Sequence, residues 1–392
     1  MNPTFRAMNY LLLVLILLVS GGWVVVTRTA NEFLIAFIFS FLLFGFLRSK
    51  IKFASVSPRS FVLVTFLILV SFFQDGLLDD KEVAVILKMF IAALACEYYF
   101  VRRVDFLVLF VETMYFVALV SLFSFIVVLF IPTVLVPIDG EYSTAFGVGY
   151  FRSSEIARFG FYRNQSFFWE AGVFGSLIGL AYFLNEASLR NRRISYVFLA
   201  TMLTTFSMGA FLIFFPLALY SMIRQRSRSF ARGFLLVGVV CLLSAYYYPD
   251  LFVGILEVTF GRSFSNDASL LVRVNDLVLG LQASGGGFFL GRPSGDYDSY
   301  NELLLDEHGY TKGDEGGITN SIVWLIYKYG FPFAFIYLMV LFFAVRRYKL
   351  KNSYILFTAL VGFLMIEPLS VSIFWLMLLG WKPIEQSRIL SS

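Results

Sequence analysis

The chain has little charge and few of the residues that bind metals or form disulfides. Only 15% of its 392 residues are Asp, Glu, Lys or Arg, and it holds one His and two Cys; a typical soluble domain is about 25% charged. Both cysteines, Cys96 and Cys241, lie within apolar runs, which argues against a disulfide framework or a cysteine-ligated metal. No hydrophilic block is long enough for a separate soluble domain. These shortages exclude the disulfide-rich secreted class and an ordinary soluble enzyme.

Apolar residues are what the chain has in excess. Hydrophobic residues make up 59% of it, including 48 Phe, and apolar runs of about 17 to 25 residues recur along its length, which is the length that crosses a bilayer. The sequence therefore predicts an all-α polytopic membrane protein that forms a single integral membrane domain over residues 1–392. The apolar N-terminus lacks a small-residue cleavage site, so we interpret it as the first span rather than a signal peptide.

Hydropathy predicts about twelve transmembrane helices. Their expected ranges are 10–27, 32–47, 60–74, 83–101, 106–136, 167–184, 194–207, 210–223, 234–248, 321–345, 353–366 and 368–381. Several of these are short for a full crossing, and we expect a helix break at Ser207-Met208-Gly209.

Basic residues predict how the chain is oriented, because short cytoplasmic loops collect Lys and Arg. With a cytoplasmic N-terminus, every predicted inner segment holds a basic residue or cluster: Arg6; Arg48, Lys50, Lys52 and Arg59; Arg102 and Arg103; Arg190, Arg192 and Arg193; Arg224, Arg226, Arg228 and Arg232; Arg346, Arg347, Lys349 and Lys351; Lys382 and Arg388. We therefore expect a multi-pass protein of the bacterial inner membrane with both termini in the cytoplasm. The same loops account for the net charge of +5, so the charge does not indicate a nucleic-acid partner.

The remaining basic residues concentrate in two long segments on the opposite side, predicted as periplasmic loops at 137–166 and 249–320. The first loop alternates aromatic residues with Arg152, Arg158 and Arg163. Guanidinium groups at headgroup depth bind phosphate oxygens in a bidentate manner, so these arginines are candidate ligands for a diphosphate. The alternative is that they anchor the loop to lipid headgroups or pair with Glu141 and Glu155.

Glu170 opens the span that follows the first loop, in the stretch FFWEAG. A carboxylate in this position is favoured by the free NH groups and the dipole of the helix, so simple capping is one interpretation. The other is a functional role at the edge of a water-filled cavity, either paired with an arginine or as a general base.

The second loop contains the stretch SLLVRVNDLVLGLQA at 269–283, whose apolar spacing predicts an amphipathic helix on the membrane surface. Arg273 in this helix is a further candidate phosphate ligand, or it pairs with Asp276. Downstream, His308 lies beside Asp306 and Glu307. It is either a general base or a solvated loop residue, and the surrounding acidic residues match no recognised metal-binding pattern.

Three of these stretches, in this order, resemble the Wzy-type O-antigen and exopolysaccharide polymerases, which are relatives of the O-antigen ligases. They are Arg163 with FFWEAG, the Ser207-Met208-Gly209 break, and Arg273 in SLLVRVNDLVLGLQ followed by FFLG and by Asn320 before SIVWLIYKYG. The likeness covers roughly residues 150–345.

This resemblance implies a GT-C-like helical fold and a glycosyltransferase that transfers glycan repeat units. The implied donor is a repeat unit linked to undecaprenyl diphosphate, the implied acceptor is a lipid-linked sugar, and the reaction is expected at the periplasmic face. Arg152, Arg158, Arg163 and Arg273 then hold the donor diphosphate, and Asn320 is a further substrate-binding residue. His308 or Glu170 is the base of a one-step, inverting transfer that needs neither metal nor cofactor. Membrane lipid and a chain-length regulator protein are the other expected partners.

Two alternatives stay open. An O-antigen ligase uses the same donor with a lipid A core acceptor, and sequence separates it poorly from a polymerase. A lipid-linked oligosaccharide flippase or other transporter places polar residues near mid-membrane. The ionisable residues within the predicted spans are Lys88, Glu97, Glu112 and Lys328, and they form no obvious transport path.

Overall fold

A computed structural model of the chain describes residues 3–21, 31–48, 65, 68–69, 80–102, 104–138, 142–152, 162–168, 170–225, 268–292, 298–308, 318, 320–347, 353–367, 369–370 and 372–380. These residues are mostly helical, which confirms the predicted helical character of the protein. The α-helices are α1 Pro3–Gly21, α2 Asn31–Arg48, α3 Asp80–Val101, α4 Phe106–Phe130, α5 Ala171–Ala187, α6 Arg192–Thr205, α7 Met208–Gln225, α8 Ala268–Ala283, α9 Asp298–His308, α10 Ser321–Arg347, α11 Ser353–Ile366 and α12 Ile373–Gly380.

Three of the described helices are long and apolar enough to cross a bilayer, namely Glu82–Val101 within α3, Phe106–Phe130 and Ser321–Arg347. Five shorter apolar stretches lie in α1, α2, α5, α7 and α11. Together they are compatible with a membrane protein, whereas twelve crossings stay a prediction. The predicted spans 60–74 and 234–248 lie largely or wholly outside the described residues.

Most helix positions match the hydropathy analysis. The helix α11 has the predicted bounds, and α10 begins at the predicted residue. The helix α4 ends at Phe130 instead of continuing to residue 136, because Pro132 cannot donate the next helical hydrogen bond and instead begins a 3-10 turn, Pro132–Val134.

The helix α5 forms the centre of the bundle. Every residue from Ala171 to Asn185 is buried, and α4, α6, α7 and α11 pack around it. A helix that is apolar on all sides is suited to such a place. Gly175 and Gly179 allow the close approach, since a Cβ at Gly175 would lie 2.8 Å from Ala210 Cβ and one at Gly179 would lie 2.5 Å from Phe363 Cζ. This is the small-xxx-small spacing that brings membrane helices together.

The expected break between α6 and α7 is present. Phe206 adopts the left-handed conformation, with φ of 45°, and ends α6. The Ser207 side chain and main chain then accept hydrogen bonds from Ala210 N and Phe211 N, at 3.4 and 2.9 Å. The chain therefore leaves one helix and enters the next within two residues.

The helix α10 is sharply bent at Gly330, where φ is 83° and ψ is 161°. Ser321 Oγ accepts hydrogen bonds from Leu369 N and Ser370 N, while Tyr337 Oη donates to Ser370 O. In a straight helix residues 321 and 337 would be about 24 Å apart. The bend lets both halves of α10 contact the short segment that joins α11 to α12.

The first predicted loop, 137–166, contains strands that the all-α prediction did not include. A three-stranded antiparallel sheet is formed by β1 Val136–Pro137, β2 Tyr142–Ala145 and β3 Gly149–Arg152, in that order. The β2–β3 hairpin pairs Tyr142 with Arg152 and Ala145 with Gly149. Its turn places both Phe146 and Gly147 at positive φ, 59° and 70°, as a type I′ turn requires.

The hairpin packs on the last turns of α4. Phe151 and Ala145 share a buried cluster with Val128, and the Phe146 ring lies 6.0 Å from the Phe123 ring. Gly149 approaches α4 closely, because a Cβ there would lie 2.7 Å from Ser124 Cβ. We call this end of the bundle the hairpin pole; α4 ends and α5 and α10 begin there.

The other end, where α1 and α4 begin, is here called the basic pole. Tyr99 Oη donates to Asn9 O at 3.1 Å, which brings the end of α3 to the start of α1. Arg6 lies 3.4 Å from the carboxylate of Glu112 near the start of α4, and Tyr10 Oη donates to the same carboxylate. The helix ends at this pole carry Arg6, Arg48, Arg102, Arg192, Arg193, Arg346 and Arg347, which are basic residues that the sequence assigns to one side.

Candidate functional site

Arg152, the last residue of β3, is held beside an aromatic ring. It is the cross-strand partner of Tyr142, and its guanidinium carbon lies 5.9 Å from the centre of the Tyr142 ring. An arginine in this position gains a cation–π contact. The side chain is half-buried, and its contact with Tyr142 across the hairpin holds it in place.

The segment 162–168 lies directly beside β3. Tyr150 N donates to Ser166 O at 2.8 Å, and the Phe151 and Tyr162 rings lie 5.5 Å apart. Because Phe151 precedes Arg152 and Tyr162 precedes Arg163, these contacts bring the two predicted arginines onto neighbouring stretches of chain. Arg158, in the connection between them, lies outside the described residues.

Asn164 anchors this segment in the bundle. Its main-chain N donates to Thr204 O at 2.9 Å, and its Nδ2 donates to Thr204 Oγ1 at 2.9 Å and to Ser121 Oγ at 3.3 Å. Its Oδ1 accepts from Ser166 N at 3.2 Å. The buried amide thus joins the segment to α4 and to the end of α6, a role that the sequence analysis did not anticipate.

Arg163 lies at the junction of α6 and α7. Its Nε donates to Thr205 O at 3.1 Å, and Thr205 is the last residue of α6. A cation at a helix C-terminus is stabilised by the free carbonyl groups and by the helix dipole. The contact gives the half-buried guanidinium a fixed place, and it joins two of the stretches on which the family resemblance rests.

Glu170 lies at the N-cap of the central helix α5. Its backbone is extended, with φ of −145° and ψ of 141°, and its side chain makes no capping hydrogen bond to the described first turn of α5. Simple side-chain capping, one of the two interpretations of this residue, is therefore not observed. The carboxylate is half-buried and stands where the buried core of the bundle opens onto the hairpin pole.

Gln165 is a buried polar residue that the sequence did not single out. It is 0% exposed, and neither its Oε1 nor its Nε2 has a hydrogen-bond partner among the described residues. A buried amide without partners is costly. The only sequence signal for this residue is the polar run Asn164-Gln165-Ser166, which lies between an arginine and two phenylalanines. A polar run this short is also typical of an ordinary loop.

The second predicted loop forms a group of its own with α10. Leu279 and Ala283 of α8, Tyr300 and Leu304 of α9, and Val323 of α10 share a buried cluster. The buried Asp276 accepts a hydrogen bond from Tyr300 Oη, which joins α8 to α9. The predicted helix at 269–283 is therefore confirmed, and one of its faces packs on protein.

Two predicted site residues have their main chain in the helices of this group. Arg273 lies one turn before Asp276 in α8, and His308 is the last residue of α9. Both side chains lie outside what the structure describes. Their roles in phosphate binding and as a base stay predictions.

Asn320 caps α10. Its Oδ1 accepts from Ile322 N and Val323 N, both at 3.1 Å, and the residue is 2% exposed. This geometry accounts for an asparagine before the span on structural grounds alone. The predicted contact with substrate stays a prediction.

At the hairpin pole, the end of α11 contacts both the central helix α5 and the start of α10. Phe363 packs against Gly179 of α5, and one turn later Glu367 O accepts from Ser321 Oγ of α10 at 2.6 Å. Glu367 is 0% exposed. Its carboxylate falls between two predicted spans, at 353–366 and 368–381, and so carries no signal of its own in the sequence.

Two of the ionisable residues within the predicted spans, Glu112 and Lys328, have different kinds of partner. Glu112 pairs with Arg6 at the basic pole, whereas Lys328 lies in α10 with its Nζ 5.4 Å from the Tyr329 ring centre and 5.8 Å from that of Trp324. Among the described residues, no group of three or more His, Cys, Asp or Glu is arranged to hold a metal ion. The expectation of a metal-independent reaction stays a prediction.

The pole therefore presents two half-buried arginines on adjacent stretches of chain and a carboxylate at the entrance to the central helix. Comparison with known proteins adds no further assignment, since no protein-family model and no curated protein matches the chain.

Proposed function

We propose that the protein is a bacterial polysaccharide polymerase, a glycosyltransferase that moves glycan repeat units from undecaprenyl diphosphate to a lipid-linked acceptor sugar. The observation that carries the proposal is the arrangement at the hairpin pole. Arg152 and Arg163 lie on neighbouring stretches, and Glu170 opens the buried helix α5.

The arginines suit the leaving group of this reaction. When the anomeric bond breaks, negative charge develops on the lipid diphosphate, and positioned guanidinium groups stabilise that charge most effectively when they do not have to reorganise. The hydrogen bond from Arg163 Nε to Thr205 O supports such a fixed orientation. Arg158 and Arg273 complete the proposed set of diphosphate ligands.

A general base deprotonates the acceptor hydroxyl as it attacks the anomeric carbon. We assign this step to Glu170 or His308. Glu170 is half-buried at the pole and does not cap its helix, which is compatible with a chemical role. One direct displacement inverts the anomeric centre, whereas a covalent glycosyl intermediate would retain it.

The proposal also assigns orientation. The ends of the described helices collect arginines at the basic pole, and the positive-inside rule assigns that pole to the cytoplasm. The hairpin pole then faces the periplasm, where lipid-linked repeat units are available to the enzyme. A chain-length regulator protein is proposed as a partner at the same face.

The glycan profile of a deletion strain tests this function. A polymerase predicts loss of the ladder of long chains while single repeat units remain attached to the lipid core, with rescue by the wild-type gene. Loss of both long chains and single units indicates a ligase instead. Accumulation of lipid-linked units on the cytoplasmic side would show a flippase and overturn the proposal.

A further inference from the structure

The segment 284–292 is joined to the bend of α10 through main-chain hydrogen bonds. Phe331 N donates to Phe288 O at 2.7 Å, and Arg292 N donates to Tyr327 O at 3.0 Å. Gly330 lies at φ of 83°, and a Cβ there would lie 2.2 Å from Phe289 O. The bend therefore exposes main-chain groups of α10, and the segment satisfies two of them.

The side chains at the tip of this segment point away from the protein. Phe289 is 70% exposed and Leu290 is 59% exposed. Phe288 stacks on Phe331 with ring centres 5.2 Å apart and planes 12° apart, and Phe331 lies 6.1 Å from Phe335, one turn further along α10. Phe331 and Phe335 are themselves exposed, so the apolar tip is continuous with the outer face of α10.

The exposed face of α10 indicates what the apolar tip contacts. The helix α10 is long and apolar enough to cross a bilayer, and the exposed face of such a helix contacts lipid. Irregular backbone is tolerated at membrane depth only where its polar groups are paired within the protein, and the two main-chain bonds to α10 provide that pairing. Phe and Leu are residues with which interfacial segments enter the boundary between headgroups and acyl chains.

We propose that Phe288, Phe289 and Leu290 form an apolar wedge that enters the membrane leaflet at the hairpin pole and contacts its acyl chains. The wedge follows directly after α8 and the 3-10 turn Ser284–Gly287, and α8 packs on α10, with Val323 Cγ1 only 2.5 Å from the place of a Cβ at Gly280. The wedge and α10 together hold α8, and with it the main chain of Arg273, at headgroup level. The proposal does not depend on the proposed function.

Site-directed spin labelling in lipid vesicles tests the wedge. Cys96 and Cys241 are replaced by Ala, a single cysteine replaces Phe289, and the labelled full-length protein is reconstituted in vesicles of phosphatidylethanolamine and phosphatidylglycerol. We expect the label to collide with oxygen more than with a water-soluble nickel chelate, at a depth of roughly 5–10 Å below the phosphates. The matched control is Asp306→Cys, an exposed position on α9, which we expect to show the opposite preference.

Equal preference for the nickel chelate at both positions would overturn the proposal. Protection of the Phe289 label from both agents would also overturn it, because that result means that protein covers the tip, a second copy of the chain being the obvious candidate.

A second measurement leaves both native cysteines in place. A benzophenone amino acid replaces Phe289, and irradiation is carried out in the same vesicles with radiolabelled phospholipid. We expect lipid adducts at this position and a marked loss of them in the Gly330→Ala background, where the main-chain docking is blocked. Crosslinked dimers without lipid adducts would contradict the assignment.

Discussion

Arg163 combines an anion-binding side chain with a defined orientation, because its Nε donates to the carbonyl group that ends α6. Lysine keeps the charge but lacks both the Nε donor and the planar fork that grips two phosphate oxygens. Arg163→Lys therefore separates the positive charge of the side chain, which is kept, from the geometry of the guanidinium group, which is lost. The same cannot be said of Arg273, whose side chain lies outside the described residues.

We predict that Arg163→Lys lowers kcat/KM for transfer from purified lipid-linked repeat units by roughly 10²-fold, the usual effect of removing one donor from a preorganised anion site. The matched control is Arg6→Lys at the opposite pole. Its salt bridge to Glu112 is exposed, and such pairs contribute about 0 to 1 kcal/mol. Equal rates for wild type and Arg163→Lys would remove Arg163 from the site.

Glu170 permits a test that separates chemistry from folding. Because Gln has nearly the same size and shape as Glu, and no N-cap bond to α5 is lost, we expect Glu170→Gln to leave the thermal midpoint of the purified protein near that of wild type. If Glu170 is the base, kcat falls by roughly 10²- to 10⁴-fold and KM changes little. A reduction in His308→Ala but not in Glu170→Gln assigns the base to His308, and normal rates in both variants exclude the two.

The packing of α5 depends on small residues. Its glycines allow α6, α7 and α11 to approach, and the contact between Gly179 and Phe363 joins the centre of the bundle to the end of α11. A side chain at this position has no space. Because Glu170 is the N-cap of α5, its position at the hairpin pole depends on where α5 lies along the axis of the bundle.

We predict that Gly179→Ala destabilises the protein by about 1 to 3 kcal/mol, the cost of overpacking a close-packed interior. The control is Gly285→Ala, since a Cβ at Gly285 meets nothing within 4 Å and its φ is not positive. The measurement is the thermal midpoint in detergent, followed by size-exclusion chromatography. Equal midpoints for both variants would show that α5 is packed less tightly than described.

Hydropathy predicted helices well because burial in a bilayer requires long apolar runs. It predicted the break after α6 from Ser207-Met208-Gly209, and the bounds of α11 match. It did not predict the β2–β3 hairpin, because residues on both of its faces are buried and so show no alternation of polar and apolar side chains. Its turn also has Phe146-Gly147 in place of the usual Asn-Gly.

The contacts of the candidate site could not be predicted from the sequence for a different reason. Arg163 and Thr205 are far apart along the chain, and only the packing of segment 162–168 against α6 brings them together. The sequence singled out Arg163 by its residue type and its neighbours. It carried no signal that separated the buried Glu367 from an ordinary loop carboxylate.

Taken as one bundle, the protein is strongly polarised along its axis. Arginines lie at the ends of the described helices at the basic pole, whereas the hairpin, Glu170 and the apolar wedge lie at the other. This asymmetry predicts orientation without reference to chemistry, since positive loops stay in the cytoplasm.

We predict that a reporter that is active only in the cytoplasm works when inserted at Arg190, and that one active only in the periplasm works at Asp306. Both positions are exposed in the described structure. The reverse pattern would invert the topology and would place the hairpin pole, with Arg152 and Arg163, where no periplasmic donor reaches it. Full-length expression of each fusion is the necessary control.

In the proposed function, arginines at the hairpin pole hold a polyprenyl diphosphate while its glycan is transferred. The most direct measurement uses purified protein in vesicles with a single undecaprenyl-diphosphate-linked repeat unit as both donor and acceptor. We expect products that grow by whole repeat units, released undecaprenyl diphosphate in matching amount, and strong impairment in Arg163→Lys. Movement of the intact donor across the bilayer without any new glycosidic bond would contradict it.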